Sequence, residues 1–107
     1  MCKSSEGTAK ATVFIDNNRT RVTEWRFPAG GDTGWHVHEF DYVVVPLFTG
    51  FLHIDTPDGS RQRVELQNGV PYFRELGVNH NVINANGHEV AFVEIEFLDQ
   101  PKQSEPA

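Results

Sequence analysis

The apolar residues of this chain arrive in nine short bursts, none longer than ten residues, and three of the gaps between them hold an Asx-Gly pair: Asp58-Gly59, Asn68-Gly69 and Asn86-Gly87. Such pairs adopt positive φ readily, which is what a tight hairpin turn demands. The bursts cover 11–15, 21–27, 35–38, 41–48, 51–54, 61–66, 71–75, 80–84 and 89–98. Each is strand-sized, β-branched and aromatic residues dominate them, and no longer window carries the i, i+3, i+4, i+7 pattern of an amphipathic helix. The pattern predicts an all-β domain of about nine strands, a jelly roll or small barrel whose two sheets bury a shared core and can enclose a pocket. In the last burst Ala91, Val93, Ile95 and Phe97 alternate with Glu94 and Glu96, which predicts that the two glutamates face water. Pro46 cannot donate to a ladder and should mark a bulge or an edge.

Residues 1–10 and 99–107 lack this periodicity and are rich in Ser, Lys, Glu and Pro, which predicts disordered ends around one folded domain at 11–98. A chain of 107 residues has no room for a second core. Its net charge of −6 has the wrong sign for neutralising phosphates, so nucleic acid is not an expected partner. The single cysteine, Cys2, cannot close an internal bridge, and the fold should not depend on oxidising conditions. The longest apolar run, Val43 to Phe48, is too short to span a bilayer, and Met1 to Lys10 has no signal-like apolar core. These absences predict a cytoplasmic protein with no membrane partner.

Chemistry concentrates at the histidines. On a strand, His36 and His38 leave the same face and lie close enough to share one metal ion. Such a pair is often no more than two polar residues on a wet strand, but Trp35, Phe40 and the run Val43 to Val45 suggest an interior, where an imidazole needs a partner for each nitrogen. His80 heads the 80–84 burst just after Gly77. His53 and His88 read as ordinary exposed histidines. Tyr72 and Arg74 share a face, which a surface reading turns outward; inward, Arg74 could clamp a substrate carboxylate. Asn84 reads as structural, and Trp25 with Phe27 as core or dimer interface.

The spacings Gly30, five residues, His36-Val37-His38, with Gly50 closing the segment, and Gly69, five residues, Glu75-Leu76-Gly77, two residues, His80, three residues, Asn84, resemble the two motifs of the cupins. Only the proline of the second motif is missing. The segments RVTEWRFPAGGDTGWHVHEFDYVVVP and NHNVINA are similar to a subgroup of short cupins described as β-alanine degradation proteins. The resemblance implies a double-stranded β-helix, a divalent transition metal (iron, manganese, nickel or zinc) held by His36, His38 and His80, and pairing into homodimers. It leaves one ligand open, because the motif's glutamate is absent. Asp41 comes one position early, whereas Tyr42 keeps the register. Strand parity favours Tyr42, but charge decides for Asp41 as the expected fourth ligand, since a carboxylate offsets the ion and a phenol does not.

The expected function is a metal-dependent enzyme acting on a small carboxylic acid by oxidation or proton transfer, with Tyr42 or Tyr72 moving a proton. The competing expectations are a non-catalytic small-ligand module on the same barrel and a metal-free structural dimer.

Overall fold

The computed structural model describes residues 7–99, which fold into nine strands and no helix. In chain order these are β1 (Lys10–Asp16), β2 (Thr20–Phe27), β3 (His36–Val37), β4 (Tyr42–Pro46), β5 (Gly50–Asp55), β6 (Arg61–Leu66), β7 (Tyr72–Arg74), β8 (Asn79–Asn84) and β9 (Val90–Phe97). One sheet has the order β1-β2-β9-β4-β7 and the other β3-β8-β5-β6, with every pairing antiparallel. The all-β expectation and its jelly-roll arrangement therefore hold.

Of the three Asx-Gly pairs only Asp58-Gly59 closes a hairpin, between β5 and β6 with Gly59 at φ 89°; Asn68-Gly69, with Gly69 at φ 79°, instead turns the chain from β6 in one sheet to β7 in the other. The third works differently. Asn86 keeps negative φ and uses its side chain, donating to the Phe51 carbonyl at 2.8 Å and to Asn84 Oδ1 at 2.8 Å, while its Oδ1 accepts the Phe51 N–H at 3.2 Å. Pro46 closes β4 opposite Phe92, two residues beyond the reach of β7, so its missing N–H leaves no gap in the ladder.

The structured part runs slightly past the expected limits. Ala9 N–H donates to the Asp32 carbonyl at 2.8 Å, and Arg19 pairs with Asp99 at 3.0 Å. The remainder of both expected ends, 1–6 with Cys2 and 100–107, lies outside the described residues.

The core is built from Phe27, Tyr42, Val44, Phe48, Leu52, Leu66, Val82, Val90 and Phe92. Register then settles the inner face of the five-stranded sheet. Tyr42 stands opposite Glu96 on one side and Arg74 on the other, Val44 opposite Glu94 and Tyr72, and Thr23 opposite Glu94. Glu94 and Glu96 thus point into the barrel and are buried, at 8% and 5% exposure, while Val93, Ile95 and Phe97 are half-buried on the outer face. This reverses the expected orientation of the last strand. Val90 and Phe92 at its start hold the parity that carries both carboxylates inside. Asn84 ties the sheets together: its amide donates to the carbonyls of Pro28 at 3.0 Å and His88 at 2.8 Å, and its Oδ1 accepts the Asn86 N–H at 2.9 Å. Among the described residues no helix is long and apolar enough to cross a membrane.

Candidate metal centre

His36 and His80 meet as direct partners in the short β3–β8 ladder, and His38 follows just past the end of β3. There the backbone is held by His38 N–H to the Val78 carbonyl, and by Gly77 N–H to the His38 carbonyl at 2.8 Å. Gly77, at φ 94°, supplies the positive φ that this return requires. The three rings converge: Nε2 of His36 lies 3.0 Å from Nε2 of His38 and 3.1 Å from Nε2 of His80. His53, on β5 opposite Ile83, and His88, exposed before β9, stand apart from them.

Protonation states follow from the partners. Nδ1 of His36 sits 3.0 Å from the Gly34 carbonyl, which only accepts, so Nδ1 carries the proton and Nε2 presents a lone pair. One lone pair cannot satisfy two facing imidazole nitrogens. A cation can, because nitrogens about 2.1 Å from a common ion and about 90° apart lie about 3 Å from each other. The donor set therefore fits a divalent transition ion. His38 is oriented by stacking on Tyr42, with centroids 3.9 Å apart at 20°, and its buried Nδ1 has no hydrogen-bond partner among the described residues. His36 stacks on Trp25 at 6.5 Å and 12°.

Burial disfavours the charged form of all three rings. His38 is pushed down to about 3, by desolvation and then by His36 and His80, and His80 to about 3, by desolvation and then by His36 and Arg74. Desolvation also lowers His36. All three present neutral nitrogen at physiological pH, the form that binds metal.

The carboxylate nearest this cluster is not Asp41. Asp41 Oδ1 accepts the Leu76 N–H at 2.8 Å, and its carbonyl accepts the Phe97 N–H at 3.1 Å. It joins neither group of donors that lie within 4.8 Å of one another, His36 with His38 and His80, and His38 with Glu94 and Glu96. The chain breaks between β3 and β4, but β4 is clamped between β7 and β9, and that double pairing sends Tyr42 inward and Asp41 out. The carboxylate that does approach is Glu94, with Oε2 3.8 Å from His38 Nε2. Its pKa is pushed up to about 8 by burial and then by Glu96, against the Trp25 indole N–H and Arg21. Glu96 itself pairs with Arg21 at 2.7 Å. Sequence reasoning missed Glu94; the available signal was that Val90 and Phe92 share its parity.

The cluster opens on two cavities. One, of about 180 Å³, occupies the barrel interior and is lined by His36, His80, Glu94, Tyr42, Tyr72 and Arg74 with an apolar wall that includes Leu52, Val64 and Val82. The other, of about 210 Å³, lies toward β1 and is lined by His36, His38, Arg21, Thr23, Val13 and Glu96, among others. Arg74 borders the first of these cavities from the β7 side, on the same face as Tyr42, but stays exposed at its mouth, as the surface reading expects. Burial raises both phenols, Tyr72 to about 12 and Tyr42 further, so both stay protonated.

No family model matches the chain. It is 54% identical over 94 residues to the beta-alanine degradation protein BauB of Pseudomonas aeruginosa, an alignment that spans 88% of this chain and 98% of the relative. The crystal structure of a cupin domain from Bordetella pertussis shares 54% identity at a TM-score of 0.81, covering 89% of this chain and 98% of that one. A Klebsiella pneumoniae protein with a double-stranded beta-helix domain, 19% identical, superposes at a TM-score of 0.70 over 94% of this chain and 85% of its own, and shows the fold alone.

Proposed function

The chain belongs to the cupins, in the family of the beta-alanine degradation protein BauB, and from that premise we propose that it is a metal-dependent enzyme acting on a small carboxylic acid. The observation that carries this reading is the convergence of three neutral imidazoles on one point beside a cavity. His36, His38 and His80 would hold a divalent transition ion, which when bound supplies a Lewis acid and, as iron(II), a redox centre. Glu94 is the group that moves a proton. Its carboxyl stands 3.8 Å from the imidazole of His38, and with a pKa near 8 it exchanges protons close to neutrality. Tyr42 and Tyr72 remain phenols and orient the substrate by donating hydrogen bonds, a role that fits their raised pKa better than that of a base. The relative's name, which refers to degradation of β-alanine, agrees with an amino- or oxo-substituted short acid as substrate.

We further propose a homodimer formed through β1, whose Val13, Phe14 and Ile15 are all exposed on the open edge of the larger sheet. It would cover the cavity that Val13 lines.

The metal reading is tested by elemental analysis of protein purified without a metal-affinity step. About one ion per chain, lost in His36→Ala, His38→Ala and His80→Ala and kept in His53→Ala and His88→Ala, is the expected result. Equal metal in all five variants, or none in the parent protein, refutes it.

A further inference from the structure

We propose that Arg74, together with the hydroxyls of Tyr72 and Tyr42, forms a carboxylate-binding subsite in the barrel cavity, and that the ligand is a short-chain monocarboxylate anchored there by its acid group. This deepens the preceding reading, on which it rests for the identity of the cavity as the substrate site. The placement comes from the backbone. Arg74 pairs directly with Tyr42 across β4 and β7, so both side chains leave the inner face as neighbours. Tyr42 in turn covers the ring of His38. The guanidinium is therefore one strand-spacing away from a residue that touches the histidine cluster.

Arg74 is exposed at the cavity's mouth, where its guanidinium is available to a ligand. It lies over the Tyr72 ring, 4.5 Å from the centroid, and its Nη1 donates to the Phe73 carbonyl at 3.0 Å. These two contacts fix the head group and leave the rest of its fork of N–H groups unused. Among the described residues no carboxylate lies within 4.0 Å of it, whereas Arg21, Arg26 and Arg61 all have acidic partners. Neither Tyr42 nor Tyr72 has a protein hydrogen-bond partner for its hydroxyl among the described residues, although both line the cavity. An exposed cation at the mouth and two phenol donors without protein acceptors, all on the wall formed by β4 and β7, suit an anionic acceptor that enters from solvent.

Size and polarity narrow the ligand. A volume of about 180 Å³ is below the roughly 300–1,000 Å³ of pockets for drug-sized ligands. Across from the polar wall stand Leu52, Val64 and Val82, which suit a short apolar chain between the acid group and the histidines.

The test compares 3-hydroxypropanoate with its neutral isostere 3-hydroxypropanamide at millimolar concentration. Binding is followed by the fluorescence of Trp25, which lines the cavity, and by calorimetry. Measurements are made on the parent protein, Arg74→Gln and Arg74→Lys, each in metal-loaded and metal-stripped form. The acid should bind at least about 10-fold more tightly than the amide, as the loss of a charge-assisted pair implies. Arg74→Gln should abolish that preference, Arg74→Lys should keep part of it, and all three proteins should bind the same amount of metal. Equal affinity for acid and amide, a preference that survives Arg74→Gln, no detectable binding of the acid, or loss of metal on Arg74→Gln would each overturn the assignment. Because the acid-to-amide ratio is read with and without metal, absence of metal from the parent protein refutes the enzyme reading while leaving this ratio to be judged separately.

Discussion

Lowering or raising the pH around the metal-free protein should reveal a narrow optimum of stability near pH 6.5. His38 and His80 titrate near 3 in the folded chain and near 6.5 when unfolded. As pH falls below 6.5 the unfolded chain gains two protons that the folded one refuses, so stability is lost toward acid. Glu94 acts in the opposite sense. It keeps its proton up to about pH 8 when folded but only to 4.5 when unfolded, so its contribution is full at low pH and is lost as pH rises through 8. Between 4.5 and 6.5 two histidine protons oppose one glutamate proton, a net loss of roughly 3 kcal/mol across that interval on acidification. From 6.5 to 8 only Glu94 is active, and about 2 kcal/mol is lost on going alkaline. His36, also lowered, steepens the acid side. Urea unfolding of chelator-treated protein at steps from pH 4.5 to 8.5 measures both limbs, and Glu94→Gln should remove the alkaline one alone. A stability that climbs steadily to pH 8.5, or stays level throughout, would refute the reasoning.

Three further outcomes are expected. Asp41→Asn should leave metal affinity within about 2-fold of the parent, since its carboxylate caps the Leu76 N–H, and a 10-fold or greater loss by competitive titration would return it to the ligand set. Asn84→Ala should cost about 3–5 kcal/mol in denaturant unfolding, because it leaves the Pro28 and His88 carbonyls and the Asn86 N–H without a partner; a cost under about 1 kcal/mol would mean that water replaces the amide. Phe14→Lys should convert dimers to monomers in light scattering, whereas parent protein already running as one 12.1 kDa unit would remove β1 as an interface.

Strand content and the three-histidine cluster were legible because both depend on local rules. Turn chemistry at Asp58-Gly59 and Asn68-Gly69 cuts the chain into strands, and a period of two puts His36 and His38 on one face. What stayed illegible depends on which face of a strand turns inward. Glu94 was assigned to water on polarity, yet it is carried inside by its neighbour across the ladder, Val44, while Arg74, opposite the buried Tyr42, stays exposed at the cavity's mouth. The buried Glu94 and Glu96 invert the inside-apolar rule at the centre of the barrel, and no count of residues on a single strand reveals where the inversion begins. The same pairing sets which way Asp41 and Tyr42 turn: charge favoured the aspartate, but two flanking strands hold β4 in a register that sends Tyr42 inward and Asp41 out.

Strand order also bears on how the protein is made. β2 lies against β9, with Phe27 opposite Val90 and Thr20 opposite Phe97, and His36 finds its ladder partner only at His80, 44 residues later. A nascent chain that has emerged as far as His38 therefore exposes two imidazoles with no strand to hold them, and Glu94 arrives last of all. Closure of so many distant pairings sets folding late and slow. The cluster of His36, His38 and His80 therefore takes its shape only once the sheets have closed, and any ion it is to hold would find no more than a loose chelate before then.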